Sequence, residues 1–356
     1  MSRRPILVTG GAGFIGCNIA DRLAGEGHDV LVYDALARAG VERNLAWLTS
    51  RHPERISSVV ADIRDEDSVV AAAKEASAVF HMAAQVAVTT SLVDPRDDFS
   101  VNILGTLNLL DALRTGGRRV PLIFASTNKV YGDLADVDLR LEDERYSPVD
   151  PAVRDHGIGE TRPLDFHTPY GCSKGAADQY VLDYGRSFGL PTAVLRMSCI
   201  YGERQMGTED QGWVAHFLIK ALEGETITLY GDGCQVRDIL DVSDAVDTYM
   251  AVWRNIDRVS GRAFNLGGGP RNAVSLRELI GFIGELTGRE VDLRFDDWRA
   301  GDQRYFVADG RAVRRELGLK APVEWRSGVT ALAEWLAGER GLSLGAREPM
   351  AAGAAH

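Results

Sequence analysis

The chain has 356 residues, 45% of them hydrophobic and 26% charged, with 51 acidic against 40 basic side chains and a formal net charge of -11. That balance excludes a nonspecific grip on nucleic acid or an anionic membrane, while leaving room for an anionic small molecule held by a few converging arginines. The length predicts roughly two domains, each able to bury its own core.

Ile6–Thr9 is a short apolar run that stops at Gly10, and apolar residues at helical spacing follow over 14–23, which predicts strand, turn and helix. The period repeats with strands at 29–33, 56–61 and 78–80, ending at Asp34, Asp62 and His81. Short apolar strands alternating with helices predict an α/β fold, a parallel sheet with helices on both faces. One amphipathic helix is expected over 97–113, and a fifth strand over 121–125 delivers Ser126, Thr127 and Asn128 to the sheet edge where ligands gather. From 133 to 168 the pattern dissolves into Asp, Glu, Pro and Gly, so this stretch reads either as disordered or as a substrate-facing loop. A helix resumes over 170–188 and a strand over 192–195. Shorter mixed units follow: helices over 213–222 and from Val242, strands over 226–230 and 263–266, and a helix opened by Ser275 with Glu278 at capping-box spacing. Residues 1–170 are thus expected to build mainly a nucleotide-binding domain, 171–338 mainly a smaller mixed α/β substrate lobe, and 339–356 a flexible tail.

The loop Gly10, Gly11, Ala12, Gly13, Phe14, Ile15, Gly16 lies between the first strand and the first helix, where small residues let a pyrophosphate approach the backbone at a helix start. Asp34 follows Gly16 by 18 positions at the end of the second strand, placed to bind adenosine ribose hydroxyls and favouring NAD over NADP. Arg38 nearby either pairs with an extra phosphate or stands solvated. Asp62 with Ile63 either frames an adenine or caps the helix starting near residue 65, and Ala83 and Ala84 leave room for the cofactor. His81 reads as a packed histidine more readily than as a base.

Tyr170, Gly171, Cys172, Ser173 and Lys174 have the YxxxK spacing, which puts phenol and ammonium one helical turn apart on one face. A positive charge beside a phenol lowers its pKa, so Tyr170 is expected to accept a proton near neutrality, helped by the Thr127 hydroxyl, while Lys174 also holds the nicotinamide ribose. The four cysteines at 17, 172, 199 and 234 form no CxxC pair; no metal site is expected, and a reduced cytoplasm suits them. No apolar run is long enough for a membrane span.

GGAGFIG, Asp34, STNKVYG at 126–132 and YGCSK at 170–174 resemble the extended short-chain dehydrogenase/reductase family, over about residues 4–338. The resemblance implies a Rossmann-type NAD domain, a carboxyl-terminal nucleotide-sugar lobe and a homodimer or homotetramer. Dehydratases of that family carry an Asp-Glu pair directly after the active-site threonine, where this chain has Asn128 and Lys129. The runs QVAVTTS at 85–91, STNKVYGD at 126–133, DFHTPYGCSKGAADQYVLDY at 165–184 and EDQGWVAHF at 209–217 are similar to the branch that inverts C2 of a CDP-linked sugar. That likeness implies Thr127, Tyr170 and Lys174 as the catalytic set. It implies Gln85, Asn128 and Ser198 against the sugar and Arg237, assisted by Arg204 or Arg299, on the diphosphate, although each arginine is equally an ordinary salt-bridge former. UDP- or dTDP-sugar 4-epimerases, nucleotide-sugar decarboxylases and noncatalytic nucleotide sensors remain the alternatives, the first because it uses the same apparatus.

Overall fold

The computed structural model describes residues 4–344. Strand and helix alternate as β1 (Ile6–Thr9), α1 (Phe14–Gly25), β2 (Val30–Asp34), α2 (Val41–Arg51), β3 (Ile56–Val60), α3 (Glu66–Glu75) and β4 (Ala78–His81). Then come α4 (Val88–Val93), α5 (Pro95–Phe99), α6 (Gly105–Thr115) and β5 (Leu122–Thr127), followed by β6 (Leu139–Glu142), β7 (Arg145–Pro148), α7 (Pro151–His156), α8 (Thr168–Phe188) and β8 (Thr192–Met197). The remainder is β9 (Cys199–Tyr201), α9 (Trp213–Glu223), β10 (Ile227–Tyr230), β11 (Val236–Asp241), α10 (Val242–Arg254), α11 (Ile256–Val259), β12 (Arg262–Leu266), β13 (Ala273–Ser275), α12 (Leu276–Thr287), β14 (Leu293–Asp296), β15 (Tyr305–Phe306), α13 (Arg311–Leu317) and α14 (Trp325–Arg340).

Seven strands form one parallel sheet in the order β3-β2-β1-β4-β5-β8-β12. Strand order reverses between β1 and β4, which opens a crevice at their carboxyl ends. Side chains of α1 and α10 bury one face of the sheet and those of α3, α6 and α8 the other. All six residues of β5 are buried, as a strand covered on both faces requires. A smaller mixed α/β part is built from β9, β11, β13 and β15 with the pair β10–β14, packed against a second apolar core from α9, α12 and α14. The capping box expected at Ser275 is present: its hydroxyl accepts from the Glu278 N–H at 3.1 Å, and the Glu278 carboxylate accepts from the Ser275 N–H at 2.7 Å.

Two expectations change. The single helix over 97–113 is α5 and α6 joined by a wide π-helical turn, Ser100–Leu104. That turn aims the buried Asn102 amide at the Gln85 carbonyl, Asp98 and the Ser173 hydroxyl of α8, contacts that no helical period reveals. The stretch 133–168 is ordered: β6 and β7 pair as a hairpin, and the Asp150 carboxylate caps α7 through the Ala152 N–H at 2.8 Å. Its sparse apolar residues, Leu134 and Ile158 among them, are buried with Val130, Tyr131 and Phe306. Phe306, the partner that completes this cluster, comes from far along the chain, which is why no local period shows. Of the expected tail, residues 339 and 340 complete α14, and 345–356 lie outside the described residues.

Candidate active site

A cavity of about 1020 Å³ runs from the β1–α1 turn across the ends of β2, β4 and β5 to β10 and β11. No residue between 133 and 168 lines it, so that stretch is not the substrate-facing loop. At one end the glycine turn is a cradle that side chains would fill. A Cβ on Gly10, whose φ is +65°, would lie 2.6 Å from the Ala83 nitrogen, one on Gly13 3.1 Å from the Gly10 carbonyl oxygen, and one on Gly16 would collide with that same oxygen. Gly13 caps α1 without a side-chain bond, so the first N–H groups of the helix are left to face an anion. Phe14 and Ile15 line the same wall. The Asp34 carboxylate is oriented by the Ala12 N–H at 3.0 Å and the Leu36 N–H at 2.8 Å, and retains lone pairs toward the cavity. Residues 10–16 and 34 therefore fit the pyrophosphate and ribose of a dinucleotide.

Asp62, Ile63 and Ala83 also line this end. Asp62 does not cap α3; Asp65 does, accepting from the Ser68 N–H, while Asp62 is gripped by the Arg64 guanidinium and backbone N–H, which hold its carboxyl below the usual range. Arg38 is exposed at the cavity rim. His81 is a packed histidine: its ring nitrogens meet the hydroxyls of Thr9 at 2.7 Å and Thr106 at 3.0 Å, and burial pushes its pKa down to about 3.

Thr127, Tyr170 and Lys174 are brought together at the middle of the cavity. Thr127 ends β5, and its Oγ1 accepts from the Lys129 N–H at 3.2 Å, opening the short turn Asn128–Tyr131. The other two are buried on the first turns of α8, where the Tyr170 N–H donates to the Ser91 hydroxyl at 3.2 Å. Farther along α8, Asp178 binds the Arg196 guanidinium through both oxygens at 2.9 and 3.0 Å and the Ser126 hydroxyl at 2.7 Å, which locks the helix to β5 and β8. The electrostatics differ from expectation. Burial pushes the Tyr170 phenol up to about 12, opposed by the hydroxyl of Thr127 and reinforced by the Asp98 carboxylate. Burial also drives Lys174 down to about 7, against the pull of Asp178 and Asp98. In the protein alone, loss of solvation outweighs the attraction expected between the pair.

The residues expected on the substrate all line the cavity, but most are already engaged. Both ends of the Gln85 amide bond the Ala87 backbone at 2.8 Å. Asn128 donates to Gln303 at 3.0 Å, and the Ser198 hydroxyl donates to Asp238. Arg204 lies flat on Trp47, 4.0 Å from the ring centre, an aromatic seat rather than a salt bridge. Arg237 pairs with Asp302 at 2.6 Å and not with its neighbour Asp238. Arg299 lies over Tyr230 and bonds the Glu209 carbonyl at 3.1 Å. Asp98, Asn102, Asp302 and Gln303 escaped the sequence reading. Asp302 and Gln303 lie outside every motif, and Asp98 and Asn102 fall within an apparently regular helix; the only neighbour that the sequence had singled out is Arg299.

Residues 6–267 match the family described as NAD dependent epimerase/dehydratase family. The chain is 42% identical over 339 residues to the CDP-paratose 2-epimerase of Salmonella typhi, covering 93% of this chain and 98% of that protein. The crystal structure of a UDP-glucose 4-epimerase from Thermotoga maritima with UDP-glucose superimposes with a TM-score of 0.81 at 29% identity, covering 94% of this chain and 99% of that one. The UDP-glucose 4-epimerase of Thermus thermophilus in complex with NAD gives 0.79 at 32% identity, with 94% and 99% coverage.

Proposed function

The chain belongs to the NAD dependent epimerase/dehydratase family and is an NAD-dependent enzyme of nucleotide sugars; within that family we propose that it inverts C2 of CDP-paratose to give CDP-tyvelose. The observation that carries this reading is the 42% identity to a CDP-paratose 2-epimerase across nearly the whole of both chains. A second observation supports it against dehydration: the two residues after Thr127 are an amide and an ammonium, so the carboxylic acid and carboxylate pair that dehydratases of the family carry there is missing.

In this reading Thr127 holds the C2 oxygen and Tyr170 takes the C2 hydroxyl proton, later returning it. NAD, when bound, supplies a reversible two-electron acceptor bearing positive charge, so the sugar passes through a 2-keto form with no net oxidation. Because burial alone leaves Tyr170 at about 12, its work as a base depends on added positive charge in the site, to which a protonated Lys174 contributes. Gly10, Gly13, Phe14, Ile15 and Gly16 of the glycine turn bind the cofactor's phosphates, with Asp34 on the ribose, Asp62 and Ile63 around the adenine and Ala83 leaving room for the cofactor beside Gly10. Arg237 and Arg299 exchange their carboxylate partners for the substrate diphosphate. The protein acts as a homodimer or homotetramer.

A 4-epimerase acting on a UDP-sugar is the second reading, favoured by the two solved structures of UDP-glucose 4-epimerases, which share the fold over almost the whole chain. Incubation with CDP-paratose in deuterated water, followed by NMR, separates the two. A C2-inverted product that keeps protium at C2 is expected, with Tyr170→Phe lowering turnover by about 10²–10⁴-fold. Absence of C2 inversion, with conversion of UDP-glucose to its C4 epimer, overturns the main reading.

A further inference from the structure

Lys129 is unlike Arg237 and Arg299, the cavity arginines that sit against acids. Its backbone is fixed at both ends, the N–H on Thr127 Oγ1 at 3.2 Å and the carbonyl accepting from the Gly132 N–H at 3.3 Å. A Cβ at Gly171 would come within 3.2 Å of that carbonyl, so the glycine lets α8 lie directly against it. The side chain therefore leaves from a rigid base between the strand end that carries Thr127 and the helix that carries Tyr170, and it lines the cavity. It is only 20% exposed.

An ammonium has three N–H donors. One is used by the Gly301 carbonyl at 3.0 Å. The nearest carboxylate, Asp302, is 4.0 Å away, beyond hydrogen-bonding distance, and its Oδ1 is taken by Arg237 at 2.6 Å. Donors are thus left over in a largely buried place that faces the cavity, where they need acceptors. Arg204, Arg237 and Arg299 each have a seat of their own. The hydroxyl oxygens of a hexose in the cavity that Lys129 and Thr127 both line are acceptors of the right kind, and gripping one hydroxyl while Thr127 holds another fixes the orientation of the ring.

We propose that Lys129 is a specificity-determining residue: its ammonium binds hydroxyl oxygens of the hexose and selects which ring carbon is presented to Tyr170. This rests on the nucleotide-sugar reading above. Burial lowers the Lys129 pKa to about 8; Asp302, Cys199 and Asp133 oppose that shift and Arg237 adds to it. The charged ammonium therefore prevails at pH 7, and its charge and one donor are lost as pH rises through about 8.

The test uses the full chain with NAD, comparing Lys129→Met, which keeps the length and removes the donors, with Lys129→Arg. With CDP-paratose, K129M is expected to lose at least tenfold in kcat/KM, chiefly through KM, with NAD content and Tm unchanged. K129R is expected to recover most of that loss and to abolish an alkaline limb near pH 8 in kcat/KM. A K129M enzyme within twofold of wild type overturns the inference, as does a K129M loss that K129R leaves unrepaired while NAD content and Tm are intact. If the wild-type protein ignores CDP-paratose but epimerises UDP-glucose, the C2 reading falls by itself, and the same variants measured on UDP-glucose decide the role of Lys129 by the same thresholds.

Discussion

His81 shows how one side chain ties stability to pH. It is fully buried between Thr9 and Thr106, and burial lowers its pKa from 6.5 to about 3. The unfolded chain takes up a proton below about pH 6.5 that the folded protein refuses, so this group's contribution is complete above that pH and is lost as pH falls. Between pH 6.5 and 5 the loss amounts to about 2 kcal/mol, at about 1.4 kcal/mol per pH unit. Urea titrations at pH 7 and pH 5 are expected to show it in the wild type and to show a shallower pH dependence in His81→Gln; equal slopes would contradict the assignment. The same effect of burial changed the reading of Tyr170 and Lys174. Their spacing was legible because one helical turn is a local geometry, but their proton affinities depend on exclusion of water by α4, α5 and β5, which the segment 170–174 does not encode.

α8 acts as one element because its middle is anchored. The Arg196–Asp178 pair is almost fully buried, at 6% and 0% side-chain exposure, and joins β5, β8 and α8 one turn beyond Lys174. Removing one partner leaves a buried charge alone, a cost of about 3–5 kcal/mol, whereas removing both relieves it. Asp178→Ala is expected to lose that much stability in equilibrium denaturation, and the double variant with Arg196→Met to regain part of it; additive losses would exclude the coupling. Asp178 lies in the run 165–184 that carries the family likeness but Arg196 lies in none of the runs, and their spacing of 18 positions spans a helix end, a turn and a strand. The π-helical turn at Ser100–Leu104 escaped notice for a related reason. Its sequence has helical period on both sides, and the extra width is decided by Asn102 reaching Gln85 and Ser173.

For the whole molecule, four of the large exposed apolar residues lie where α5, the π-helical turn and α8 meet the surface: Phe99 (54% exposed), Leu104, Tyr180 and Phe188 (52%). These helices pack against each other and leave an apolar face of the sort that a second copy covers. Sedimentation of the wild type is expected to give the mass of a dimer or tetramer, and Tyr180→Glu to shift it toward the monomer. A wild-type monomer at micromolar concentration would remove the oligomer from the proposal. Within the cavity, Asp302 pairs with Arg237, and Glu209 and Asp210 stand beside Arg299, so these arginines are neutralised locally in the protein alone.

The sequence by itself determined the parallel α/β fold, the glycine turn with Asp34, the Tyr170–Lys174 spacing and the capping box at Ser275, because each is written within a few consecutive residues or a repeated period. Only the tertiary structure decided that 133–168 folds into a hairpin and helix away from the cavity, that Asp302 rather than Asp238 faces Arg237, and that the Lys129 ammonium reaches the Gly301 carbonyl and lines the cavity. Those outcomes depend on contacts between residues far apart in the chain and on which of them lose water, and neither quantity has a local signature.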